Sequence, residues 1–258
     1  MAVAAVYLAL LAASVAVLVG WHTRLSAAIV FVAITSFTRA NPFVLNSGDT
    51  LIRILAFYLM LAPSGLEFSL DRRRARRQGR ATATTHPAWP LRLIQIQVSA
   101  MYVAAVWSKL QGPSWRDGSA VSYATRLPDL VRLPVSGFLE QSPLIAHAAT
   151  YGTLLVESSL AVLIWHRRTR IPALAAGVLL HLGIDASIRV GFFSLAVFTA
   201  YLSFANPVWI RARTSDAVAL LARVAGSSGS ARLTPHSRAV RGDDSAADGA
   251  RQGAAGIR

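Results

Sequence analysis

The run Leu91-Arg92-Leu93-Ile94-Gln95-Ile96-Gln97-Val98-Ser99-Ala100-Met101-Tyr102-Val103-Ala104-Ala105-Val106-Trp107-Ser108-Lys109 decides the reading of this chain. It is mostly apolar and as long as a bilayer demands of one helix, about 20 residues with a range of roughly 17–25. Its polar groups fall in register. Gln95, Tyr102 and Lys109 are spaced i, i+7 and i+14, which sets them on one helix face with Ser99 beside them. A polar stripe within an apolar helix has to face protein or a water-filled cavity, because hydrocarbon offers it no partner. One stretch therefore predicts a membrane protein and an interior site.

Further apolar runs at about 1–20, 24–40, 50–65, 144–165, 171–187 and 190–206 complete an all-α, polytopic transmembrane bundle of about seven spans. The first run has no charged leader and no clear cleavage site, so it reads as a span and not as a signal peptide. Composition agrees: 54% of the 258 residues are apolar and 15% are charged, where a soluble domain carries roughly 25% charged. The 26 basic residues outnumber the 12 acidic ones, for a net charge of +14. Those arginines crowd the loops and the tail, where the positive-inside rule collects them, and this argues against nucleic acid as a partner. There is no cysteine, which excludes disulfides and thiol chemistry.

The loops set the orientation. Arg72, Arg73, Arg74, Arg76, Arg77 and Arg80 follow the third run, Arg167, Arg168 and Arg170 the fifth, Arg211 and Arg213 the seventh. In a seven-span chain these all lie on one side, expected to be the cytoplasmic side of a bacterial inner (plasma) membrane, with the N-terminus outside. Residues 112–143 carry Pro113, Pro128, Pro134 and Pro143 with Trp115, Arg116, Tyr123 and Phe138 between them, as expected of short amphipathic or re-entrant pieces on the outer face. Two regions result: a transmembrane domain over 1–206, and a basic cytoplasmic tail over 207–258, expected to be disordered from about 225.

Ionisable groups inside spans are functional candidates by default. Lys109 is the one lysine in the chain. Arginine snorkels to headgroups equally well but keeps its proton, so a lysine chosen here suits a buried base as well as a snorkelling cation. His181 and Asp185 are spaced i, i+4, so the carboxylate could orient the imidazole, or both could meet a group on another helix. Asp49 is expected to cap the third span and to pair with Arg53 one turn on. Glu157, in mid-membrane, is expected to pair with Arg53 or His181. No metal is expected, because two ligands do not make a site and no HExxH or CxxC element is present.

In order and spacing, three groups of residues resemble the HTTM domain, the membrane part of the vitamin K-dependent γ-carboxylase family, over about residues 1–206. They are Arg39-Ala40-Asn41-Pro42 through Gly48-Asp49 and Arg53; Gln97-Val98-Ser99 through Ser108-Lys109-Leu110, Trp115 and Gly118; and His181-Leu182-Gly183-Ile184 with Gly191-Phe192-Phe193. In that family a lysine at the lumenal end of a membrane helix acts as base on vitamin K hydroquinone, and oxygenation of the quinol drives carboxylation of glutamate. The resemblance implies Lys109 and His181 as catalytic residues and a reduced naphthoquinone, of the menaquinol or vitamin K hydroquinone type, as cofactor. Gln95, Tyr102, Asp185, Glu157, Asp49 and Arg53 are the expected substrate-binding residues.

The chain is expected to lack the family's first helix and its large lumenal domain, and Gly48-Asp49 stands where the carboxylase has an Asn-His pair. On that expectation quinol oxidation would survive such losses, whereas processive protein carboxylation would not. A noncatalytic scaffold or partner subunit that keeps a lipid or quinone cavity is the alternative. A small transporter using His181, Asp185 and Glu157 as a proton relay is a third, which the lack of inverted repeats disfavours.

Overall fold

The computed structural model describes residues 2–41, 46–65, 69–80, 87–133, 142–206 and 216. Seven helices coincide with the seven apolar runs: α1 (Ala2–Val19), α2 (Thr23–Ala40), α3 (Ser47–Leu61), α5 (Trp89–Gln111), α8 (Pro143–Leu163), α9 (Arg170–Ser187) and α10 (Phe193–Tyr201), the last continued by a 3₁₀ turn (Leu202–Phe204). Between them lie α4 (Leu70–Arg77), α6 (Pro113–Arg116) and α7 (Ala120–Ala124). The only β pairing among the described residues is an isolated antiparallel bridge, Val131 with Ile188. The architecture is all-α. Taken singly, α1 and α5 are long and apolar enough to cross a membrane, at 18 and 23 residues. The chain divides into Met1–Ala205 and Asn206–Arg258. The expected disordered tail, with Pro134 and Phe138 of the outer segment, lies outside the described residues.

Local chemistry explains the helix starts. Pro90, Pro113 and Pro143 open α5, α6 and α8, where the missing N–H costs nothing and φ is preset. Asn46, and not Asp49, caps α3: the Asp49 N–H donates to Asn46 Oδ1 at 3.0 Å. An Asn one position before the helix is better placed to cap than an Asp inside its first turn. No ion pair joins Asp49 to Arg53 among the described residues, so that expectation is corrected as well.

The polarity of the bundle is reversed relative to a soluble protein. Leu18, Leu144, Ile171 and Phe192 are 72–85% exposed, while Gln95, Thr150, Glu157, His181, Ser194 and Ser203 are buried. Water would penalise this arrangement, since large contiguous apolar surfaces mark a partner or a membrane. Lipid does not. The core is built from Leu51 of α3, Val98 and Tyr102 of α5, Leu160 of α8, and Val197 and Tyr201 of α10. Small residues let the helices close on it. A Cβ on Gly177 of α9 would overlap the Tyr201 hydroxyl and come within 2.9 Å of the Leu160 side chain, the close approach that membrane helices use in place of a hydrophobic drive.

One polar clamp ties the chain across a long sequence distance. His22 precedes α2 at φ 43° and makes no side-chain cap bond. Asp71 of α4 does the capping, accepting from the His22 N–H at 2.9 Å, the Thr23 N–H at 3.0 Å and the Thr23 hydroxyl at 3.0 Å. Its own N–H donates to the Gly20 carbonyl at 3.0 Å. Burial raises the tendency of Asp71 to hold a proton, but the bonds from Thr23 and His22 outweigh it, and its carboxyl is held below the usual carboxylate range.

A depressed folded-state pKa means the clamp contributes fully above the unfolded carboxylate value, about 3.9, and is lost as pH falls through the folded value. Asp71→Asn should lower thermal stability in detergent by about 1 kcal/mol at neutral pH, with the gap from wild type closing on acidification. A gap that persists undiminished into strong acid would contradict the clamp. Gly177→Ala should cost about 1–3 kcal/mol through overpacking. Gly183→Ala, whose Cβ meets nothing within 4 Å, should be neutral or mildly stabilising in the same melting experiment.

Candidate functional site

The stripe on α5 extends over fourteen residues, roughly 21 Å of helix, and its members have different duties. At the first end, Gln95 Nε2 donates to the Ser203 carbonyl at 2.7 Å and its Oε1 accepts from Arg92 Nη1 at 3.0 Å. Gln95 is thus spent on closing the 3₁₀ turn against α5. Midway, the buried Tyr102 hydroxyl bonds His181 Nε2 of α9 at 3.0 Å and the Tyr201 hydroxyl of α10. At the far end, Lys109 Nζ donates to both carboxylate oxygens of Glu157 at 2.7 Å. Its side chain is 24% exposed and that of Glu157 7%. The Trp115 ring lies 5.2 Å from Nζ. Lys109 therefore turns inward and does not snorkel.

Glu157 meets neither Arg53 nor His181, which corrects the expected pairing. The reason is packing: α5 and α8 run side by side, so the last turn of α5 falls beside the middle of α8, while Arg53 sits on α3. Asp185 also departs from expectation. It makes no hydrogen bond to His181, and both Asp185 Oδ1 and His181 Nδ1 are buried without a partner. The i, i+4 spacing brought the two residues to one face without joining them.

A cavity of about 1020 Å³ opens at this end of the bundle, and Lys109, Glu157, Tyr102 and His181 line it. Gln95, Asp185, Asp49 and Arg53 are not part of its wall. The space exists because the facing helices present Ala105, Ala148, Ala149, Gly152, Ala176 and Gly183, which are too small to fill it. Its roof is α6 and α7, through Trp115, Ala120, Val121 and Ala124. That roof is held to α8 by the Val121 N–H on Thr150 Oγ1 at 3.2 Å and the Tyr151 hydroxyl on the Arg116 carbonyl at 2.9 Å.

Chemically the cavity is a largely apolar room with its buried ionisable groups on one wall, and with Arg189, Asn46 and Thr125 also in its lining. That wall holds the Lys109 cation and the Glu157 carboxylate in contact, where low dielectric strengthens their attraction, with the His181–Tyr102–Tyr201 chain beside them. Tyr201 is the member that the sequence did not flag: an aromatic near the end of the last apolar run reads as an interface residue. The signal that could have found it is Gly177, whose missing side chain makes room for the hydroxyl. Among the described residues no group of three His, Cys, Asp or Glu is placed to hold a metal ion.

No curated protein and no solved structure matches the chain. The HTTM domain matches residues 1–209, a stretch that includes the helices, the apolar outer surface and the whole cavity wall. The chain belongs to the HTTM domain family and is a membrane protein.

Proposed function

We propose that this protein is a seven-span membrane enzyme that binds a reduced naphthoquinone, of the menaquinol or vitamin K hydroquinone type, in the cavity, where Lys109 takes a phenolic proton as the base and dioxygen, as co-substrate, accepts the two electrons. The observation that carries the reading is the meeting of the one lysine with Glu157 in the wall of a largely apolar cavity. Small apolar walls suit a flat hydrophobic ring system, and the polar wall suits its hydroxyls. His181 Nδ1, buried and without a partner, is a further polar atom in the residues that face that space. The fit is good. A bound quinol would supply two electrons and two phenolic protons.

The residues of the chain supply the proton handling. With the shared proton on Glu157, Lys109 Nζ is a free amine and can take another; with it on Lys109, the ammonium offsets negative charge nearby. Tyr102, fixed between His181 and Tyr201, orients the wall beside that pair. The apolar Ala and Gly surface, with the roof over it, limits water. The spans of this proposal are α1, α2, α3, α5, α8, α9 and α10 with its 3₁₀ turn. The apolar exposure of their outer faces supports it. α3 and the α10 segment are roughly 20–22 Å long against a core of about 30 Å, a mismatch that local thinning accommodates. The arginines of α4 and those at 167–170 argue for a cytoplasmic face there, which sets the cavity in the outer half.

One observation favours the noncatalytic reading. The Lys109–Glu157 bond ties α5 to α8, and the Tyr102–Tyr201 bond ties α5 to α10, so both are also braces of a scaffold. Kinetics separate the two. Lys109→Arg keeps a cation for Glu157 but cannot release its proton, so it should fall with Lys109→Ala by about 100-fold or more in quinol oxidation. An Arg variant as active as wild type would refute the base, and a wild type without quinol oxidation would leave the scaffold. For topology, a reporter fused at Gln78 should be active only on the cytoplasmic side, and one at Asp117 only outside.

A further inference from the structure

We infer that α4 and the adjoining groove of α1 form a binding site for an anionic phospholipid of the bilayer, its headgroup phosphate on Arg73, Arg74 and Arg77 and an acyl chain in the groove. The inference goes beyond the quinol reading and does not depend on it; it needs only that the chain sits in a bilayer.

The groove, about 550 Å³, is lined by Ala12, Val15, Ala16, Val19, Trp21 and Leu70. Five of these belong to α1 or the turn after it. The sixth, Leu70, is the first residue of the arginine helix. An apolar channel along a lipid-facing helix therefore ends against a basic one. From Leu70, the positions i+3, i+4 and i+7 on the same helix face are Arg73, Arg74 and Arg77, and all three are exposed. Arg76 and Arg80 add exposed positive charge beside them. Trp21, 54% exposed, stands where an interfacial aromatic marks the headgroup level.

Charge alone would orient the chain without a folded, fixed helix. Here the helix is fixed. Ser69 caps it through the Arg72 N–H at 3.0 Å, and Asp71 anchors it to the α1–α2 turn through both its carboxylate and its N–H. The anchoring carboxylate is thereby taken up by His22 and Thr23. A soluble polyanion would match the arginines but leave the groove empty, and a neutral lipid would fill the groove but leave the arginines unmatched. An anionic phospholipid answers both, in keeping with the pull of juxtamembrane basic clusters on anionic lipids.

The test is a thermal-shift titration of lipid-stripped protein in neutral detergent. Phosphatidylglycerol should raise the melting temperature saturably, less so at high salt. Phosphatidylcholine of the same chains, and glycerol 3-phosphate, should not. The combined Arg73→Gln, Arg74→Gln and Arg77→Gln variant should weaken the phosphatidylglycerol effect on the order of 100-fold, each basic residue near an anionic surface being worth about fivefold. Val15→Trp, at a position 60% exposed, should fill the groove and also weaken it, a check that stands if the triple variant fails to fold. An equal shift from phosphatidylcholine, an equal shift from glycerol 3-phosphate, or an unchanged titration in either variant would overturn the inference.

Discussion

A carboxylate inside a bundle whose outer surface is apolar is stabilised where a cation meets it, and Glu157 meets Lys109 on both of its oxygens. Removing one partner of such a pair leaves an uncompensated buried charge, at a cost of about 3–5 kcal/mol. The pair fixes the register of α5 against α8. That register places Tyr102 opposite α9 and α10, where it reaches His181 and Tyr201. The polar wall of the cavity is thus one connected consequence of where a single acid and a single lysine sit.

The cavity is the counterpart of close packing elsewhere. At Gly177 the absence of a side chain is filled at once by Tyr201 and Leu160, and the helices touch. At Gly152 and Gly183 nothing approaches within 4 Å, and the helices stand apart with only small side chains between them. The same residue type thus closes one end of the bundle and opens the other. What differs is whether the facing helix offers a large side chain.

The helices were legible from the apolar runs, because a chain that must satisfy every backbone group in lipid has little choice but helix. The face of α5 that turns inward was legible from the spacing of Gln95, Tyr102 and Lys109. The destination of each polar group was not, since periodicity describes one helix and pairing involves two. Glu157 shows this: its sequence context is silent on which helix adjoins it. Asp71 shows it more sharply, capping an N-terminus 48 residues away. Asp49 lost the capping role to Asn46 through a competition between two good caps only three positions apart. Asp185 and His181 share a face, yet their orphaned atoms show that shared faces do not ensure a bond.

If the cavity beneath Trp115 receives a quinone, direct binding reveals it without requiring turnover. Tryptophan fluorescence of the purified protein should be quenched saturably by a naphthoquinone. Gly152→Phe, which places a ring in open space within the cavity wall, should abolish that quenching while leaving the fold intact. Quenching that never saturates in the wild type, or that persists unchanged in the Gly152→Phe protein, would contradict a quinone site in this cavity.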